Sequence, residues 1–522
     1  MNTLTIDIKT CSRVSIKTHG VFACAQDNST RILCVTLKKN FDPPLVWLPP
    51  ELRRSEISSI SNEQLCRMLE EADLIQAYDI TTEYAFWKYT LRRLYPWFPD
   101  VPVKKLSCLA ARAACFGMGF PVCTLFDMRG VPHNGKMTSP ADTVIFTNPS
   151  KQILTDSLQR VMKSCMNSVS TEADIGNKIS ELPPMEQQIW RAILATNNQG
   201  IFIPRDSLLD HLERYLAEEE LLREEFYAIT GITNPMNGDA VMAYFRQHDV
   251  SIKTLSRKDL DRTVRSLPQG ILRRAAEIRL TLAENRSHSC RKMLSLQGPD
   301  SRIRGLWEYY GHPSGSCRTK YLPDIGVVSG LAVPAGKSTY RIFRLPVFRH
   351  IHSLRTNIPE NFFPLMAKKL KECCINAVLK PGITLYYGKL KISCFSHFLK
   401  IVLPSGRDLY LYEPVSDKNQ SLSCLFKYDR TARRRELSGE MICRLIEDAM
   451  KRDILMYYLT ALMKNGFTPV LFDSEEIVTE DPVSDESNND VFNDLIACQP
   501  EWMKESSWQP IMCLSRQWSK LS

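Results

Sequence analysis

The sequence predicts a multidomain α/β protein, and three features of its patterning carry that expectation. Strand-like alternation opens the chain in LTIDIKT (4–10), where Leu4, Ile6 and Ile8 alternate with Thr5 and Asp7, and helical stretches are then interleaved with it. From Pro183 the apolar spacing changes to the 3.6-residue period of amphipathic helices. Paired strand signals in KLKISCFSHFLKIVLPSGRDLYLYEP then lead into a long helix and a last strand, PVLFDSEEIVTE. At 522 residues the chain has room for roughly two to four domains and a large core.

The elements follow in order. LTIDI, GVFACA and RILCVTL read as three strands within residues 4–37, before a helix at NEQLCRMLEEA, a short strand at DLIQAYD and a helix through TEYAFWKYTLRRLY. PPMEQQIWRAILATNNQG opens on prolines suited to a helix N-terminus and closes on Gly200. After the short strand GIFIP, the long helix RDSLLDHLERYLAEEELLREEFYAIT is expected to turn Leu208, Leu209, Leu212, Tyr215 and Leu216 inward. Further helices follow at NGDAVMAYFRQH, RKDLDRTVRSL and GILRRAAEIRLTLAENR, and strand character resumes at RIRGLWEYYG. Residues 322–360 carry Pro and Gly punctuation with no sustained period. A helix resumes at FFPLMAKKLKECCINAVLK. The paired strands turn at SGR, and GEMICRLIEDAMKRDILMYYLTALMKNG is the last long helix.

Composition narrows the class. The hydrophobic fraction is 44% and the charged fraction 24%, as in soluble globular proteins. Net charge is +9, and residues 251–304 alone hold thirteen Lys and Arg against five Asp and Glu. Such a local field suits a polyanion, with solvated helix faces as the plainer alternative. The 17 cysteines form no CxxC pattern and read as reduced, mostly buried thiols of a cytoplasmic protein. Neither a secretory leader nor a bilayer-spanning apolar run is expected, so no membrane partner is either.

Asp7 ends a strand, and two residues on, where a second acid would share its face, stands Lys9. Paired strand acids suit a two-metal nuclease, in which the ions activate water and stabilise the leaving oxygen. A cation at that position repels the ions it should help to hold. The second acid-bearing strand end is SEE (474–476).

Taken in order, these segments resemble the phage-type family A DNA polymerases (DNA polymerase I-like), which carry an N-terminal 3′–5′ exonuclease domain. LPSGR (403–407) resembles the family's strand ending in a leucine-proline-serine-glycine-arginine turn, and Arg452, Asp453 and Leu455 match the arginine-aspartate-x-leucine of the following helix. SEE stands at the histidine-aspartate-glutamate strand, and CQPEWMKESSWQPIMC is similar to the closing proline-x-tryptophan segment. NNQGIFIPRDSLLDHL, TNPMNGDAVMAYFRQHDV and SRIRGLWEYYGHPSGS resemble the helical thumb and palm entrance. LTIDIKT, AYDITTEY (77–84) and SVSTEADI (168–175) resemble the three exonuclease motifs.

The resemblance implies an RNase H-like exonuclease domain at 1–180 and a helical thumb and palm entrance at 181–321. It places the junction of an internal deletion at 322–360 and a truncated palm with the C-terminal polymerase segment at 361–522. The metal ligands it implies are Asp7, Glu83 and Glu475, holding Mg²⁺, and the catalytic residues are Glu475, Glu476, Arg452 and Asp453. DNA contacts are expected from Arg273, Arg274, Arg291, Lys292, Arg302, Arg304 and Arg407. The implied partners of this cytoplasmic monomer are DNA primer–template and deoxynucleoside triphosphates.

The departures matter as much. Lys9 replaces the second exonuclease acid, and Ser168 and Ser164 stand where an Asp and a Tyr are expected, leaving two acids of four. The polymerase family's first motif, an aspartate-tyrosine-serine strand, has no match, and neither has the fingers helix that binds nucleotide phosphates. Glu475 replaces the metal-binding Asp of the third motif, and Leu445 and Asp448 replace polar residues of the preceding helix. The resemblance thus points to a family A polymerase impaired or inactive in both activities, and three readings stay open beside it: an active polymerase whose site is rebuilt from 322–360, a non-catalytic DNA-binding remnant of a prophage polymerase that occupies or protects primer ends, and a decaying prophage product that folds poorly and does nothing.

Overall fold

LTIDIKT lies within strand β1 (Thr3–Cys11), the centre of a five-stranded sheet. Its neighbours are β2 (Arg31–Lys39) and β3 (Leu45–Trp47) on one side, and β4 (Leu74–Ala77) and β5 (Leu106–Cys108) on the other. β2 runs antiparallel to β1 and β4 runs parallel to it. The computed structural model describes residues 1–118, 155–309, 315, 318–319, 330–345, 363–416, 421–428, 431–473, 475–482, 487–503, 511–515 and 517. GHPSGS (apart from Gly315) and Ser474 lie outside them, as do 322–329 and 346–360 of the expected junction. The chain divides into two units. One comprises Met1–Ile201, Gly298–Lys320 and Pro334–Arg516, and the other Phe202–Gln297, Tyr321–Val333 and Gln517–Ser522.

The segment GVFACA is helical, not a strand, and belongs to helix α1 (Ile16–Gln26). A short apolar run cannot by itself separate the two states. Here Ser15 caps the helix by accepting from the Lys17 amide, and Gly20, at φ 75°, breaks it into two turns so that Phe22, Cys24 and Ala25 bury. The helices α2 (Asn62–Glu71) and α3 (Ile80–Phe86) appear as the sequence suggests. α4 (Leu109–Cys115) follows β5, and α5 (Thr155–Lys178) crosses the sheet. One sheet face packs Leu4, Ile6 and Ile8 with Phe22, Tyr84 and Trp87, while Cys34 and Val46 on the other meet Leu158, Val161 and Cys165 of α5. Period-two alternation sets Asp7 and Lys9 on the face opposite Ile6 and Ile8. α6 (Pro184–Gln199) ends on Gly200, whose φ is 67°.

The second unit contains five helices among its described residues: α7 (Arg205–Thr230), α8 (Gly238–Gln247), α9 (Arg257–Ser266), α10 (Ile271–Ala283) and α11 (Arg286–Leu296). Phe226, Val241, Phe245, Leu260, Ala276 and Ile278 form its core. Leu208 is buried, but Leu209 and Leu216 are exposed, against expectation. The α7 face toward its neighbours is partly acidic: Glu219 accepts from the Ser287 amide and hydroxyl at 3.2 and 2.8 Å, and Glu225 pairs with Arg274 at 2.7 Å.

The first unit then resumes. β6 (Ser338–Arg344) arises from the stretch without a readable period. α12 (Phe363–Leu379) precedes a six-stranded antiparallel meander in sequential order: β7 (Thr384–Tyr387), β8 (Leu390–Phe395), β9 (Phe398–Val402), β10 (Asp408–Ser416), β11 (Leu422–Tyr428) and β12 (Thr431–Glu436). α13 (Gly439–Lys464) leads to β13 (Pro469–Phe472), β14 (Glu476–Pro482), α14 (Ser487–Ala497) and β15 (Ile511–Ser515). The last strands join β6 in a sheet of order β13–β14–β6–β15. α12 and α13 cover one face of the meander with Leu370, Cys374, Ile442 and Ile446 over Ile392, Leu399 and Leu411. Across the other face, Phe398, Tyr412 and Leu425 pack with Leu109, Ala113, Ile175 and Ile179 of the N-terminal part.

α12 and α13 meet closely at Gly439, where a methyl group would overlap the Ala367 carbonyl. Because that neighbour is backbone, Gly439→Ala is expected to destabilise the protein by about 1–3 kcal/mol. Chemical denaturation of the purified variant measures this.

Candidate metal centres

The N-terminal centre forms where β1 faces α5. Asp7 is buried, and its Oδ1 accepts a hydrogen bond from Lys9 Nζ at 2.9 Å. Burial works against the Lys9 charge, but Asp7, with Cys165 and Glu83 beyond it, outweighs burial and holds the ammonium well above its ordinary pKa. Glu83, on α3, is buried, and burial followed by the charges of Asp7 and Glu172 pushes its carboxyl up. Ser168 is also buried and supplies no acid.

Glu172 is a residue that motif position alone misses. It is buried, and its Oε2 accepts from the Tyr78 amide at 3.1 Å. Burial and then Asp7 push its carboxyl up to about 8. Residues 164, 168 and 172 are spaced by four and share a helix face, so an acid one turn past Ser168 reaches the same region on a longer side chain. Three acids, Asp7, Glu83 and Glu172, thus lie buried here beside Lys9. The signal is present in SVSTEADI as a Glu four residues after Ser168.

The second centre lies at the head of the β13–β14 hairpin. Glu475 is exposed and its carbonyl accepts from the Leu345 amide at 2.7 Å. Glu476 is buried and in register with Arg344 of β6, whose Nε lies 3.2 Å from its carboxylate. The strand from the unreadable stretch thus brings a guanidinium, not an acid, to Glu476. The pattern repeats along β14: Glu480 pairs with Arg302 at 2.8 Å, and Asp481 with Arg341 at 3.2 Å. Among the described residues, no three His, Cys, Asp or Glu are grouped so as to hold a metal ion. The described residues therefore do not fit the two-ion Mg²⁺ sites that the resemblance implies.

Arg452, Asp453 and Arg407 meet in one buried network. Arg452 donates to both oxygens of Glu186, each at 2.6 Å, and lies 3.4 Å from Asp453. Asp453 accepts from Arg407 Nε and Ser405 Oγ, each at 2.5 Å. Tyr309 donates to Glu186. Burial opposes the Glu186 charge, but Arg452 and Arg407 outweigh it and hold the carboxyl below its usual range. LPSGR and the arginine-aspartate pair are thus two halves of one ion network, and the Arg407 guanidinium is committed to it.

The expected DNA-contacting cations divide into two groups. Arg302 is bound to Glu480 and Arg304 to Asp300, the latter at 2.6 Å, both in the first unit. In the second unit Arg273 pairs with Glu277 at 2.9 Å and Arg274 with Glu225. Arg291 is exposed, as are Lys253 and Lys258, and none of these three has a carboxylate at ion-pair distance among the described residues; Lys292 is partly exposed. No helix among the described residues is long and apolar enough to cross a membrane.

Two expectations follow. Arg452→Met leaves Glu186 buried without its bidentate partner and should cost about 3–5 kcal/mol of stability, read from urea unfolding. For Glu172, the folded chain keeps its proton between the ordinary carboxylate pKa of 4.5 and about 8, whereas the unfolded chain releases it. This contribution to stability therefore falls as pH rises through that window. Glu172→Gln should gain relative to wild type on going from about pH 5.5 to about pH 8, measured as the difference in unfolding midpoints.

No protein-family model matches the chain. It is 23% identical over 341 residues to the DNA polymerase of Bacillus phage SP02, which covers 60% of this chain and 49% of that protein, so the chain spans about half the length of this curated relative. Its fold is similar to that of the POL domain of Pol1 from M. smegmatis, solved in complex with DNA primer-template and dNTP. The TM-score is 0.59 at 9% identity, covering 99% of this chain and 95% of that one. By sequence and by fold together, the chain resembles the family A DNA polymerases, with a phage enzyme among its relatives.

Proposed function

We propose that this chain is a primer–template-binding protein of family A polymerase descent in which nucleotide addition and 3′–5′ cleavage are both lost. The observation that carries this reading is Arg344 against Glu476 at the hairpin head. Phosphoryl transfer by two metals needs carboxylates clamping ions about 3.5–4 Å apart. A guanidinium opposite the strand-end acid opposes that assembly, and the sequence offers no fingers helix for the triphosphate.

DNA binding does not depend on those parts. The basic helices of the second unit bear exposed cations suited to phosphates, and a protein of similar fold was solved with primer-template. We assign the role to the cytoplasm and to a monomer. All described cysteines are free and most are buried, in keeping with a reducing setting.

Purified protein should bind primer–template with strong salt dependence and little sequence preference. Changing Lys253, Lys258 and Arg291 together to Ala should reduce the log K against log salt slope by about 0.9 for each phosphate no longer neutralised. Neither templated incorporation nor digestion of single-stranded DNA is expected with Mg²⁺ or Mn²⁺. Incorporation that vanishes in Glu475→Ala, or digestion that vanishes in Asp7→Ala, would overturn the loss of activity. Binding unchanged by salt and by the triple substitution would overturn the DNA-binding role.

A further inference from the structure

The N-terminal centre is built from carboxylates, yet its chemistry disagrees with the metal pair implied by the resemblance. One oxygen of Asp7 is already occupied by an ammonium, with Lys9 Nζ 2.9 Å from Oδ1. The other, Oδ2, is buried and has no hydrogen-bond partner among the described residues. It is one ligand oxygen, whereas a two-ion site needs carboxylates that clamp both ions about 3.5–4 Å apart. No metal-holding group of three acids is present among the described residues.

We propose that Lys9 is the resident cation of this centre: its ammonium is a covalently tethered replacement for a divalent ion, paired with Asp7 and set among the buried carboxyls of Glu83 and Glu172 in a metal-free structural cluster. Three observations lead there. Lys9 and Asp7 stand two apart on one strand face, so the strand itself presents the cation beside the acid. Asp7, Glu83 and Glu172 are all buried, and each of the two glutamates feels the charge of both Asp7 and Lys9. Asp7 belongs to the buried class of ion pairs, in which removing one partner strands a charge, rather than to the exposed class that contributes little. At the second centre, too, a buried acid is paired within the chain, Glu476 with Arg344. A lone ammonium carries one charge where two Mg²⁺ carry four. That one charge balances Asp7 while burial keeps Glu83 and Glu172 protonated, and nothing is left to draw in a DNA phosphate.

The test uses thermal unfolding and Mn²⁺ electron paramagnetic resonance on the full chain without DNA, so its outcome is separate from that of primer–template binding. Wild type should bind no Mn²⁺ at this centre and unfold at the same temperature in EDTA and in Mn²⁺. Lys9→Ser should lower the unfolding temperature by about 3–5 °C. Adding Asp7→Asn to Lys9→Ser should recover part of that loss, because it removes the stranded charge. Mn²⁺ binding that Asp7→Asn abolishes, an unfolding temperature unmoved by Lys9→Ser, or additive effects of the two substitutions would each overturn the proposal. If Lys9→Ser does not fold, the Mn²⁺ measurements on wild type and Asp7→Asn decide alone.

Discussion

The first unit depends on one buried charge network, Glu186–Arg452–Asp453–Arg407. Its members come from α6, α13 and the turn between β9 and β10, segments separated by up to 266 residues. Two cations and two acids balance in a space closed to water, where any unpaired member would bear the full cost of desolvation. That condition permits few arrangements of the three segments. It also fixes Arg452, whose guanidinium is held by two short bonds to Glu186.

The same logic runs along β14. Glu476, Glu480 and Asp481 are each matched by an arginine from another strand or loop. A strand carrying three buried acids would be prohibitively costly unless cations or metal ions neutralised it. In this chain the cations come from the protein. The sheet β13–β14–β6–β15 thus has its three buried acids neutralised by arginines of the same chain.

Much of this is legible in the sequence where a residue pattern maps directly onto geometry. Alternation in LTIDIKT sets Asp7 and Lys9 on one strand face, proline and glycine bound α6, and the SGR turn sits between β9 and β10. What resists reading depends on tertiary partners. GVFACA is short enough to be helix or strand, and only its cap and its burial decide. The α7 stripe through Leu209 and Leu216 misleads because Glu219 and Glu225 take contacts that the pattern assigns to leucines. Motif position misses Glu172, since a functional group can move one helical turn and still arrive at the same point. β6 carries no period because its arginines face buried acids and its apolar residues fill both sides.

The packing of Phe398, Tyr412 and Leu425 against Leu109, Ala113, Ile175 and Ile179 bears on how the chain is made. Residues near 109 and 175 leave the ribosome long before residue 412 exists. Until then α4 and α5 present an uncovered apolar surface, and the N-terminal sheet lacks part of its final core. Domains that complete themselves early during synthesis are protected early. This unit, discontinuous in sequence, is not, so the nascent chain passes through a prolonged interval in which a chaperone or a neighbouring chain has access to a surface that the finished protein hides.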